Sequence, residues 1–81
     1  MYPVFISKEA AKFLKKIDKN QSEVILKKIY SIKKEPFSHL KKLKGSKLWR
    51  LRVMKYRVII DVVVAKKEIY VVSIGYRKNI Y

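Results

Sequence analysis

From Leu40 to Arg57 the chain reads LKKLKGSKLWRLRVMKYR, with five lysines (Lys41, Lys42, Lys44, Lys47, Lys55), three arginines (Arg50, Arg52, Arg57) and no acidic residue. What these groups share is a capacity to hold anions. A guanidinium stays charged at any physiological pH, and its planar fork grips phosphate oxygens in pairs. One cleavage reaction asks for little beyond that. When an RNA 2′-hydroxyl attacks its adjacent phosphate, the nucleophile belongs to the substrate, and the protein has only to orient it and stabilise a dianionic phosphorane. A tyrosine or lysine whose pKa is lowered by neighbouring cations would move the protons. Other chemistries lack their parts. Cysteine is absent and His39 is the single histidine, which excludes a disulfide framework, thiolate catalysis and cysteine- or histidine-rich metal sites. There is no Gly-rich phosphate loop, no paired carboxylates and no Ser/His/acid set. His39, in a polar connection, reads as a solvated loop residue. No metal or cofactor is expected.

The charge of the whole chain points the same way. Its 81 residues carry 21 Lys and Arg against 6 Asp and Glu, a formal +15. Glu9, Asp18, Glu23, Glu35, Asp61 and Glu68 are the acids, so nothing from Pro36 to Ile60 is negative. An excess this large and this uneven calls for an acidic partner and suggests a docking face. Nucleic acid is the first candidate, an acidic protein the second and an anionic membrane surface the third. With 49% hydrophobic and 33% charged residues the composition is that of a globular chain, expected to form one domain over 1–81. No apolar run has the length of a membrane span and no signal-peptide pattern opens the chain, so a cytoplasmic location is expected.

The basic residues need elements to position them. Trp49, Leu51 and Val53 alternate with Arg50 and Arg52, a period of two that predicts a strand with one apolar and one cationic face. Gly45-Ser46 marks a turn before it. A two-residue turn at Met54-Lys55 would return the chain as Tyr56–Ile60, setting Val53 against Tyr56 and Arg52 against Arg57. Like charges directly opposed in a sheet are destabilising, and an anion bound between them resolves the conflict. Trp49 and Tyr56 read as core. Upstream, Tyr2–Ile6 predicts a short strand. Ser7 caps a helix whose Ala10, Phe13, Leu14 and Ile17 form one apolar stripe. Asn20 and Glu23 resemble a capping box opening a second helix, with Val24, Ile25, Ile29 and Ile32 as its core face and Pro36 as its end. Downstream, Val58–Val64 predicts a central strand covered on both faces, Ala65-Lys66-Lys67 a turn, and Glu68–Ile74 a last strand released by Gly75. The final register stays open: a two- or four-residue turn sets Tyr76 across from Arg57, three residues set Arg77 there. The fold class is α+β, a small twisted, mainly antiparallel sheet (β-α-α-β-β-β along the chain) with an N-terminal helical hairpin packed on one face.

The pattern LKG…LWRLRV-x-x-YRVII…IGYRKNIY, in this order over nearly the full length, resembles the RelE/ParE superfamily of toxin–antitoxin toxins, the RelE branch above all. The resemblance implies an mRNA interferase, an endoribonuclease that cuts message in the ribosomal A site without a metal. It also implies a small RelB-like antitoxin that wraps the toxin and holds it inactive. Carried onto this sequence, Arg50 and Arg52 hold phosphates, with Arg52 assisting proton transfer. Arg57 stabilises the transition state, Arg77 lies near the leaving group, and Tyr81 stacks on or activates the nucleotide. The implied catalytic set is Arg52, Arg57, Arg77 and Tyr81; the RNA-binding set is Lys41, Lys42, Lys44, Lys47, Arg50, Lys55 and Lys78. Met54-Lys55 stands where many members have a glycine-containing turn, and the glutamate and histidine of one catalytic variant have no counterpart. Two other readings stand beside this: a ParE-type gyrase inhibitor of the same fold, and a non-catalytic basic nucleic-acid-binding module.

Overall fold

A computed structural model of the protein describes residues 2–77. Strand β1, Val4–Ile6, leads into helix α1, Lys8–Lys16. Ser7 caps that helix: its Oγ accepts from the Ala10 N–H at 3.1 Å and donates to the Val72 carbonyl at 2.7 Å, so one hydroxyl starts the helix and ties it to the sheet. Helix α2, Lys19–Ser31, follows after only Ile17 and Asp18. Its cap is Asp18, whose Oδ1 accepts from the Asn20 N–H at 2.8 Å. The expected capping box at Asn20 is therefore displaced, because Asp18 takes the Asn20 N–H and puts Asn20 and Glu23 inside the helix. The end comes earlier than expected as well. The Lys33 carbonyl is taken by the Tyr2 N–H at 3.0 Å, and the chain leaves α2 once Ile32 is buried. Pro36 instead opens a 3₁₀ turn, Pro36–Ser38, where its missing N–H is not needed.

Four more strands complete the sheet: β2 (Lys41–Lys42), β3 (Trp49–Val53), β4 (Tyr56–Val63) and β5 (Glu68–Tyr76). Their order is β1-β5-β4-β3-β2, with β1 parallel to β5 and every other pair antiparallel. The two-residue β2 was not foreseen, since two lysines carry no alternation to read. Between β3 and β4 the expected register holds, with Val53 opposite Tyr56 and Arg52 opposite Arg57. The last hairpin differs from both alternatives. Residues 64–67 form its loop, and the register shifts between Ile59 and Ile60, leaving Val72 as the extra residue of a β-bulge. Arg57 consequently faces Gly75, and Tyr76 faces Tyr56. Gly75 lies within β5 and does not release it.

Strand alternation sorts the side chains onto two faces. Leu51, Val53, Tyr56, Val58, Ile60, Ile69, Val71 and Ile74 are buried together with Ala10, Ile25, Ile29 and Ile32 of the helical segment, forming the core. Phe13 meets the Tyr56 and Tyr76 rings edge-on at 5.7 and 5.6 Å, and the Tyr56 hydroxyl donates to Gln21 Oε1. The opposite face carries Lys41, Arg50, Arg52 and Arg57. Val24, expected in the core stripe of α2, is instead exposed.

Two connections use left-handed backbone at residues that carry a Cβ: Met54 at φ 54° and Lys67 at φ 53°. Met54→Gly removes that clash. Urea unfolding should show a gain of about 1 kcal/mol; an unchanged or lower midpoint would mean that the Met54 side chain contributes more than its backbone strain removes. The opposed arginines give a second expectation. A double-mutant cycle with Arg52→Gln and Arg57→Gln should return a repulsive coupling of roughly 0.2–1 kcal/mol at low salt. The coupling should shrink when inorganic phosphate is added, and an attractive coupling would contradict the opposition seen in the register.

Candidate nucleic-acid interface

Strand pairing is what collects the cations. Arg50 and Arg52 leave the same side of β3, Arg57 stands opposite Arg52 on β4, and Lys41 stands opposite Arg50 on β2. They differ in depth. Arg57 is only 4% exposed, Arg50 is half-buried and Arg52 is exposed. A guanidinium held at the depth of Arg57 acts in a medium of lower dielectric than water, so its field on a nearby anion is stronger. Gly75 opposite it puts no side chain in the way.

Clefts open around this group, and Arg52 lines three of those formed by the described residues. A cleft of about 500 Å³ is bounded by Lys41, Lys42, Lys44, Ser46, Arg50 and Arg52. A second, of about 350 Å³, lies where Lys28 and His39 meet Lys41, Arg50 and Arg52. The third, about 580 Å³, runs between α2 and the edge of β3, with Val24, Lys28, Val53 and Met54 in its walls. Neither His39 nor Lys28 was in the expected site. The lysine is one of several on a solvated helix, and the histidine is brought alongside β3 by β2, which left no readable pattern.

Of the other expected residues, Lys41, Lys42 and Lys44 join Arg50 and Arg52 in the 500 Å³ cleft. Lys42 also lies over the Trp49 ring at 5.2 Å. Trp49 packs beside the core and tilts against Phe37 at 4.9 Å. Lys47 and Lys55 are engaged elsewhere. Lys47 Nζ is 3.7 Å from Asp61 Oδ2, and Lys55 Nζ, at the β3–β4 turn, lies 5.7 and 5.8 Å from the centres of the Tyr56 and Tyr76 rings. Arg77 follows β5, its N–H donating to the Lys55 carbonyl at 3.0 Å and its Nη1 to the Met54 carbonyl at 3.3 Å. It is thereby fixed at the β3–β4 turn, two residues beyond Gly75. Lys78 and Tyr81 lie outside the described residues.

Tyr70 is paired with an acid and not with a cation. Its hydroxyl donates to Glu68 Oε1 at 2.6 Å, and that bond, with burial and the charges of Glu68 and Asp61, pushes the phenol above its ordinary range. Its ring stacks on Phe5 at 5.1 Å, on the half of the open face away from Arg50 and Arg52. Among the described residues no group of three or more His, Cys, Asp or Glu is placed to hold a metal ion. No helix among them is long and apolar enough to cross a membrane.

With this geometry, the chain can be set beside known proteins. The family model of the ParE toxin of type II toxin–antitoxin systems, parDE, matches residues 4–81. A comparison with curated protein sequences found no match. Among solved structures, a chain of the archaeal RelE–RelB complex from Pyrococcus horikoshii superposes with a TM-score of 0.84 at 28% identity, covering 96% of this chain and 97% of that one. A chain of the RelBE2 toxin–antitoxin complex from Mycobacterium tuberculosis gives 0.86 at 16% identity, with 94% and 98% covered. One from the intact Escherichia coli RelBE complex gives 0.80 at 22%, with 94% and 96% covered. The last two speak for the fold alone. Given the family match over nearly its whole length, the chain belongs to the ParE toxin family of type II toxin–antitoxin systems, within the RelE/ParE superfamily and with a RelE-like fold.

Proposed function

We propose that this toxin is a RelE-like endoribonuclease that cleaves ribosome-bound mRNA by attack of the 2′-hydroxyl on the adjacent phosphate, and so inhibits translation. The observation that carries the reading is the opposition of Arg52 and Arg57, with Arg50 and Lys41 beside them on one face. A sheet face with no ligand would not gain from that arrangement, whereas a phosphorane with two negative charges would be gripped from both strands. Arg57 is assigned to the transition state because it is the deepest and least hydrated of the set. Arg50 and Arg52 are assigned to phosphate oxygens, with Arg52 assisting proton transfer, Arg77 lying near the leaving group and Tyr81 serving as the nucleotide-stacking residue. Lys41, Lys42 and Lys44 carry the approach to the RNA backbone; Lys47, Lys55 and Lys78 extend the basic surface.

A protein antitoxin is the second partner. The solved structures of similar fold from Pyrococcus horikoshii, Mycobacterium tuberculosis and Escherichia coli are toxin–antitoxin complexes. A cytoplasmic location goes with a ribosomal target. The match to the ParE model keeps one competing reading alive, inhibition of DNA gyrase by the same fold.

In vitro translation with purified toxin, with mRNA ends mapped by primer extension, separates these readings. Cuts at A-site codons are expected only on translating message, and Arg57→Ala should lower cleavage roughly 100-fold or more while ribosome binding stays nearly intact. Intact mRNA together with blocked gyrase supercoiling would replace this reading with the ParE one. Growth inhibition in cells, reversed by a co-expressed antitoxin, would exclude a passive binding module. For the lysines, Lys41→Ala with Lys44→Ala should weaken ribosome binding and reduce its dependence on log salt by roughly one unit for each phosphate no longer neutralised. An unchanged slope removes Lys41 and Lys44 from the interface.

A further inference from the structure

The 350 Å³ cleft holds residues that the cleavage reading does not use. β2 pairs with β3 only through Lys41–Arg50 and Lys42–Trp49, so among the described residues the edge of β3 beyond Arg50 has no strand beside it. Continuing that antiparallel register backwards brings His39 level with Arg52. The histidine is not on a loose loop: its N–H donates to the Pro36 carbonyl at 3.2 Å, closing the 3₁₀ turn, and Pro36 itself is buried. α2 contributes Lys28. Four cations from three elements thus line one cleft with this exposed imidazole: Lys28 on α2, Lys41 on β2, Arg50 and Arg52 on β3. The nearest acid along the chain, Glu35, accepts from the Ser38 hydroxyl at 3.1 Å.

We infer that this cleft is a second phosphate seat, taking the phosphodiester next to the one held between Arg52 and Arg57, with His39 and Lys28 as positioning residues. The assignment rests on the RNA reading of the neighbouring site. Arg52 lines this cleft and stands opposite Arg57 in the β3–β4 register, so an anion here is the neighbour of one held between Arg52 and Arg57, as successive phosphates of one strand are. An imidazole donates a hydrogen bond to a phosphate oxygen in either protonation state, and the forked guanidiniums match phosphate oxygens in pairs. Held at two successive phosphates, a strand cannot rotate about the first, and its 2′-hydroxyl is kept near its line of attack.

Because His39 is the only histidine in the chain, its ring gives one unambiguous set of NMR signals. The probes are 2′-O-methylated RNA di- and trinucleotides, which bind without being cut. The His39 ring signals should move saturably with the trinucleotide, together with the guanidinium signals of Arg50 and Arg52. His39→Gln and Lys28→Gln should each weaken trinucleotide binding by about tenfold, the scale of one hydrogen bond to a charged group, and dinucleotide binding far less. A ring that stays still while the arginine signals shift would overturn the second seat and leave the cleavage reading standing. Equal losses for di- and trinucleotide would do the same. A glutamate peptide of equal charge that moves the ring at lower concentration would reassign the cleft to a protein partner. Ring shifts with both variant effects, but no cleavage of translating message, would keep the seat and remove the nuclease.

Discussion

The register between β3 and β4 is the constraint on which the rest of the molecule depends. The pairing that buries Leu51 and Val53 against Val58 and Tyr56 is the same pairing that opposes Arg52 to Arg57. Because side chains alternate, a slip of β3 by one residue against β4 would send Leu51 and Val53 to solvent and turn Arg50 and Arg52 toward the helices. Core and site are therefore one decision. The like-charge opposition persists because burial on the helix face outweighs it: a repulsion of roughly 0.2–1 kcal/mol is small beside about 1.5–3 kcal/mol for each large apolar side chain buried. The strained backbone at Met54 is held by the same surplus.

The bulge at Val72 adapts β5 to that decision. Without it, the register at Ile60–Val71 would continue and place Ile74 opposite Arg57. Ile74 would then leave the core for the cationic face. With the extra residue, Ile69, Val71 and Ile74 are all buried on the helix side, and Gly75 falls beside Arg57. Ser7 secures the irregular stretch, since its N–H donates to the Val71 carbonyl at 3.0 Å and its hydroxyl to the Val72 carbonyl at 2.7 Å. The residue that begins the first helix thus also holds the bend that brings a glycine, and not an isoleucine, opposite the buried arginine.

These relations were unequally legible in the sequence. The β3–β4 hairpin could be read because β3 alternates strictly, β4 opens with Tyr56, Arg57 and Val58 in the same alternation, and two residues leave one tight return. α1 could be read from its stripe and its serine. The bulge was harder: Ile69, Val71 and Ile74 are spaced two and then three, but Val72 is also apolar, so the break in period is masked. β2 could not be read at all, since its two lysines fit a solvated loop equally well, and with it went the placement of His39 beside Arg52. The depth of Arg57 was hidden too, because burial of a charged side chain follows from what surrounds it in space and leaves no trace in spacing.

The open face is polarised, and the polarity gives it a direction. Its β2–β3 side carries Lys41, Arg50 and Arg52, with Arg57 behind them; its β5–β1 side carries the Phe5–Tyr70 stack, with Glu68 bonded to the tyrosine and Asp61 opposite it. A polyanion is drawn to the first half and repelled by the acids of the second. Lys47 and Asp61 meet near the boundary, with Lys47 82% exposed, where such a pair adds little to stability. Its larger effect is on the field: it places a neutral pair between the halves, so the positive potential falls off near β4 and does not spread across the sheet. A strand drawn in by the lysines before β3 would then meet Arg57 at the edge of the favourable region, which is where chemistry dependent on a well-defined end point belongs.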